Sequence, residues 1–274
     1  MGATGVELVE VVRGDRVESV HRGGVAVADA SGAVVEAWGG PGRAILPRSA
    51  LKPLEALALV ESGAADAAGL GPERLALACA SHAGARMHAE RVAAWLSALG
   101  LGEAALACGG HEPGDRAERD ALIRAGRAPT RLHDNCSGKH ARMLTLARGL
   151  GAPVEGYCAA GHPVQRAISE AVHGATGDDP ALGWVVDGCS APNFAVTLSG
   201  LAAGMARMAD PARGFGPGAR GAAAARLLDA MTAWPELVAG EGRACTALMR
   251  ALGGRVAVKT GAEGVYVAAL RGRG

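Results

Sequence analysis

Pro47-Arg48-Ser49-Ala50-Leu51-Lys52-Pro53 puts a hydroxyl three residues before an amine. In a helix that starts near Ser49 the two share a face. Pro53 then falls in the first turn, where backbone N–H groups lack internal partners. A serine at a helix N-terminus meets positive dipole density that stabilises developing negative charge, and a lysine beside it accepts the hydroxyl proton once its pKa is lowered. That lowering requires burial or a second cation. Lys259-Thr260-Gly261 can supply the second cation at the end of a run where Val256 and Val258 alternate with smaller residues. Gly261 lets a substrate come close to the backbone.

Composition marks the same positions. The chain has 28 Lys and Arg side chains, of which only Lys52, Lys139 and Lys259 are lysine; its asparagines are Asn135 and Asn193. Where arginine is the default cation, a lysine points to a task arginine cannot do, such as losing its proton near neutral pH. Ser-x-x-Lys with Lys-Thr-Gly is also the pairing found in serine β-lactamases and penicillin-binding proteins. Ala80-Ser81-His82-Ala83-Gly84 follows the apolar run Leu75 to Cys79, which reads as a strand, so Ser81 at a strand end could relay a proton between Lys259 and a substrate. Asn135-Cys136-Ser137-Gly138-Lys139-His140 superficially resembles a phosphate loop. His133 stands where the first glycine is needed and no Ser or Thr follows Lys139, so nucleotide binding is rejected. Asp187-Gly188-Cys189-Ser190-Ala191-Pro192-Asn193 offers a second turn cysteine, and two thiolates with a lysine amine or a histidine could hold zinc.

These residues need a scaffold. Val6 to Val12, Gly24 to Ala28 and Val34 to Trp38 read as an N-terminal antiparallel meander. Leu54 to Val60, Arg86 to Leu99, Arg116 to Arg124, Lys139 to Leu150, Val164 to His173 and Ala222 to Met231 have helical spacing, and Ala209 to Ala222 reads as a flexible loop. Arg255 to Lys259 and Gly264 to Leu270 form a last hairpin. Strands at both ends of a helical middle predict an α+β fold in which the last strands rejoin the first in one antiparallel sheet. A net charge of +1 gives no electrostatic pull toward nucleic acid or an anionic membrane, and the longest uncharged stretch is too polar to span a bilayer. Glu7, Glu10 and Asp15 stand where a signal peptide would need basic and apolar residues, so a cytoplasmic protein with reduced cysteines is expected.

Together, the segments at Arg48–Pro53, Ala80–His82, Asn135–His140, Asp187–Pro192 and Lys259–Gly264, with His162-Pro163-Val164-Gln165, resemble the rhizobial-type, or class 3, L-asparaginases of the asparaginase II family from about Val6 to Leu270. The resemblance implies a fold like serine β-lactamases and glutaminases, hydrolysis of L-asparagine to L-aspartate and ammonia, and a homodimer. It implies Ser49 as nucleophile with Lys52 as its partner, and Ser81 with Lys259 as a second Ser-Lys pair. Arg48, His82, Asp187 and Gly261 become substrate-binding residues, Asp187 near the substrate amino group. Cys136, Lys139 and Cys189 become zinc ligands. A lysine ligand to zinc follows from the resemblance alone.

Residues 1–274 read as one domain of this kind, lacking a C-terminal strand and helix that the family carries, which leads to an expectation of low solubility or weak activity. Two other readings stand beside the asparaginase: an acyl enzyme directed at β-lactams or peptidoglycan, and a catalytically impaired remnant that binds amino acid or zinc.

Overall fold

The computed structural model describes residues 5–272. Two hairpins open the chain, β1 (Val6–Arg13) with β2 (Arg16–Gly23), and β3 (Val25–Ala28) with β4 (Val34–Trp38). β5 (Ala44–Ile45) leads through a 3-10 turn at Arg48–Leu51 into α1 (Lys52–Glu55), α2 (Leu57–Glu61), α3 (Ala64–Ala67) and α4 (Pro72–Ala78). Then come α5 (Arg86–Ala98), α6 (Arg116–Arg124), α7 (Ser137–Gly149) and α8 (Pro163–Thr176). Short strands β6 (Trp184–Val186), β7 (Pro192–Phe194) and β8 (Val196–Thr197) precede α9 (Leu198–Ala209), α10 (Pro211–Phe215), α11 (Ala219–Ala233), α12 (Pro235–Val238) and α13 (Ala244–Ala251). The hairpin β9 (Val256–Thr260) and β10 (Tyr266–Leu270) comes last.

The class is α+β, as expected, but the sheet is not the single one anticipated. The described strands form five separate two-stranded antiparallel pairs, and β9 hydrogen-bonds only to β10. Instead of sharing a ladder, the N- and C-terminal hairpins meet through α9, which packs against β3, β4 and β10. Alternation along a strand fixes which face is buried; it says little about which distant strand becomes the neighbour.

Two local expectations also change. Leu75 to Cys79 belongs to a helix end, not a strand: Pro72 occupies the first turn of α4, Glu73 complements its N-terminus, and Leu75 to Ala78 are buried. The stretch Ala209 to Ala222 is mostly helical. Asp210 caps α10 by accepting from Arg213 N, Pro211 sits in its first turn, and α11 has already begun at Ala219.

The core lies among the central helices. Every residue of α7 from Ser137 to Ala147 is buried, so each polar side chain there needs an internal partner. Thr145 Oγ1 donates to Ala141 O at 2.9 Å and accepts from Trp95 Nε1 at 3.0 Å; His140 Nδ1 lies 2.6 Å from the Tyr157 hydroxyl. Gly138 permits the crossing with α4, since a Cβ there would collide with Leu77 O. That crossing brings the start of α7 beneath the loop that follows α4.

Candidate active site

A cavity of about 410 Å³ opens where five remote segments meet: Arg48 and Ser49 of the 3-10 turn, Ser81 to Ala83 after α4, Asp134 to Cys136 before α7, Asp187 to Cys189 after β6, and Thr260 to Ala262 after β9. Of the residues singled out in the sequence, Arg48, Ser49, Ser81, His82, Cys136, Asp187, Cys189 and Gly261 line it. Lys52, Lys139 and Lys259 are buried, at 1%, 2% and 1% exposure.

The 3-10 turn determines how Ser49 is presented. Lys52 N donates to Ser49 O, and residues three apart eclipse in such a turn, so the hydroxyl and the amine stack on one side. Gly261 packs directly against this turn: a Cβ on it would lie 2.5 Å from Pro47 O and 3.2 Å from Ala50 N. Only a glycine lets the β9 end approach this closely. Gly261 spends its own N–H on Val265 O at 2.7 Å, whereas the N–H groups of Ser49 and Ala262 have no partner among the described residues.

The two lysines are in different states of hydrogen bonding. Lys52 Nζ donates to Ala80 O at 2.7 Å, to Ser81 Oγ at 2.7 Å and to Cys136 Sγ at 3.1 Å, one acceptor for each ammonium proton. Lys259 Nζ donates to Thr260 O at 2.8 Å. Burial, and then the charge of Lys52, lower the Lys259 pKa to about 7. Among the described residues neither amine is hydrogen-bonded to Ser49 and Lys259 is not bonded to Ser81; the bonded serine–lysine pair is Ser81 with Lys52.

Beside Lys52 the Cys136 and Cys189 thiols shift each other in opposite directions. Cys136 is held well below the ordinary thiol pKa by a hydrogen bond from Cys189, against the effect of burial, with help from Lys52 and Lys139. Cys189 moves up for the matching reason, its hydrogen bond to Cys136, and by burial. Burial disfavours the Lys139 charge, but the charges of Cys136, Glu55 and Cys189 outweigh this and raise its pKa. Lys139 therefore has a neighbour at the thiol pair.

The polar mouth is formed by Arg48 and Asp187. Arg48 Nη2 lies 2.7 Å from Asp187 Oδ1. Burial acts to raise the Asp187 pKa, but Arg48, Lys139 and the Gly188 N–H bring it below the usual carboxylate value. Arg48 sits at φ 53°, a left-handed conformation unfavourable for a side-chain-bearing residue, and Asn193 Oδ1 accepts its N–H at 3.3 Å. His82 has less freedom than its position suggests. Nδ1 accepts from Gly84 N at 3.1 Å, Nε2 lies 2.9 Å from Ser137 Oγ, and the ring stacks on His88 with centroids 4.6 Å apart. Burial, then His88 and Lys52, keep it neutral.

Asp134, His111, His133 and Arg243 also line the cavity and were not singled out from the sequence. Asp134 follows directly from its place beside Cys136, whose N–H it accepts at 2.7 Å. Arg243 reaches the cavity from the segment before α13 and carries no local signal. No helix among the described residues is long and apolar enough to cross a membrane.

A search of curated proteins returns no match to the chain. The family model for L-asparaginase II matches residues 9–274, nearly the full length, and the chain therefore belongs to the L-asparaginase II family of hydrolases acting on amides.

Proposed function

We propose that the protein hydrolyses L-asparagine to L-aspartate and ammonia through an acyl-enzyme on Ser49. The observation that carries this reading is the meeting of Ser49 and Ser81 at one cavity, with the Lys52 and Lys259 amines buried behind them, in a chain of the L-asparaginase II family. Arg48 and Asp187 offer opposite charges to the carboxylate and ammonium of an amino-acid substrate. Ser49 Oγ attacks the side-chain amide carbon, and its proton passes to the Lys259 amine, whose burial favours the neutral form. The developing oxyanion faces the free N–H groups of Ser49 and Ala262. Lys52, through Ser81, protonates the departing ammonia; in the second half the now neutral Lys52, again through Ser81, takes a proton from the water that attacks the ester, and the Lys259 ammonium returns its proton to Ser49 Oγ as the ester bond breaks.

Zinc at Cys136, Lys139 and Cys189 belongs to the same reading: the two thiols are donors of a kind zinc accepts, whereas Lys139, whose charged form the neighbouring groups favour, would have to release a proton to bind. Among the described residues no group of three or more His, Cys, Asp and Glu could hold a metal ion, and Lys139 enters as the third ligand through the family resemblance alone. Bound zinc would supply a fixed positive charge beside the cavity. The steps above do not pass through it. Equal metal content in the native protein and in Cys136→Ala/Cys189→Ala, measured by elemental analysis, would refute the assignment. The homodimer belongs to the same reading and is supported by the hairpin β1–β2, whose Val9, Val12 and Val17 are at least half exposed; sedimentation velocity checks it.

The test of function is ammonia release from L-asparagine and L-glutamine by the purified protein and by Ser49→Ala. Turnover of asparagine that vanishes in the variant is expected. Undiminished release in Ser49→Ala removes the serine from its role.

A further inference from the structure

Three segments supply the Lys52 amine, the Ser81 hydroxyl and the Cys136 thiol: the turn into α1, the loop after α4 and the start of α7. One guanidinium joins all three. Arg142 lies on α7, one turn beyond Lys139, and is 1% exposed. Its Nη1 donates to Lys52 O and to Ala78 O, each at 3.1 Å, and its Nη2 donates to Glu55 Oε2 at 2.8 Å. Ala78 is the last residue of α4, where helix carbonyls lack an intrahelical partner. Two residues on, Ala80 O receives Lys52 Nζ, and Ser81 Oγ receives it too. Lys52 is thus tied twice to the same helix end, by its amine directly and by its carbonyl through Arg142.

A role in stability alone explains this poorly, because a buried ion pair is often no better than apolar residues of similar volume. The geometry uses what is particular to arginine. Its planar fork serves two backbone carbonyls from Nη1 and a carboxylate from Nη2, two separate nitrogens held in one plane, whereas lysine would have to gather all three acceptors around one nitrogen. Glu55, itself buried, supplies the compensating charge.

We propose that Arg142, neutralised by Glu55, is a positioning residue that fixes the Lys52 amine against Ser81 and so sets the proton path of the site; this rests on the Ser-Lys reading above. Arg142→Lys keeps a cation for Glu55 and gives up at least one carbonyl. Its kcat for asparagine should fall about 10- to 100-fold, with KM within about threefold, as expected when a catalytic group is misplaced by a fraction of an ångström to one ångström. Aspartate should bind Arg142→Lys/Ser49→Ala as tightly as it binds Ser49→Ala. Glu55→Gln, which retains an acceptor for Nη2, should show the same pattern with a smaller loss.

Wild-type kcat in Arg142→Lys overturns the inference. So does a parallel loss of kcat, aspartate affinity and folded content in both variants, or failure of both to fold, since the pair would then be structural only. Lys52→Ala separates the two levels. If it turns over like wild type, the Ser-Lys reading fails; if it is inactive while Arg142→Lys is fully active, only the positioning role fails.

Discussion

Lowering the pH from 8 to 6 should remove most of the asparaginase activity, and the reason lies in one buried amine. Lys259 is 1% exposed and faces Lys52, Cys245, Cys136 and Cys79. Burial and the Lys52 charge bring its pKa to about 7. The Cys79 thiol is pushed up to about 12 by burial and brings no negative charge to offset this. With a base of pKa about 7, the free amine makes up about 90% of Lys259 at pH 8 and about 9% at pH 6, so kcat/KM should drop about tenfold. Initial rates of ammonia release at subsaturating asparagine and fixed ionic strength measure it. His111 and His133 share the cavity, so the acid limb must also persist in His111→Gln and His133→Gln. A profile flat within about twofold from pH 6 to 8, or a limb abolished in His111→Gln, would refute Lys259 as the base.

Stability gives an independent reading of the same group. The folded value lies below the unfolded one of about 10.4, so between about pH 7 and 10.4 the unfolded chain binds more protons and stability rises with pH. Urea midpoints at pH 7 and pH 9.5 should therefore diverge more in the wild type than in Lys259→Met. Gly261→Ala should force the β9 end away from the Ser49 turn, at a cost of about 1–3 kcal/mol in thermal or urea unfolding, with a larger loss in kcat than in substrate affinity. Asp187→Asn keeps the shape of the mouth but removes the charge opposite Arg48; KM for asparagine should rise about tenfold, corresponding to one charge-assisted hydrogen bond, and an unchanged KM would show that the amino group binds elsewhere.

The candidate site was more legible in the sequence than the scaffold that builds it. Lys52 and Lys259 stood out because arginine is the default cation, and glycine at 261 marked the close approach that the Pro47 and Ala50 contacts reveal. The hydrogen bonding of the lysines was not legible: spacing pairs Ser49 with Lys52 along a turn, whereas the loop after α4 is what brings Ser81 Oγ to the Lys52 amine. Leu75 to Ala78 misled because a short apolar run buried on all sides has no period to separate helix from strand; Pro72 and Glu73 were the usable cues. Asp210-Pro211 was a helix start hidden among glycines. Arg142 gave no signal at all, since a buried arginine among so many surface ones is distinguished only by its partners.

The proposed covalent step is open to direct observation. Protein mixed with excess L-asparagine, quenched in acid within the first turnovers and analysed by intact mass and peptide mapping, should carry an aspartyl ester on the peptide containing Ser49, absent from Ser49→Ala. Ammonia release with no adduct, at the same rate in both proteins, would contradict an acyl-enzyme at this serine.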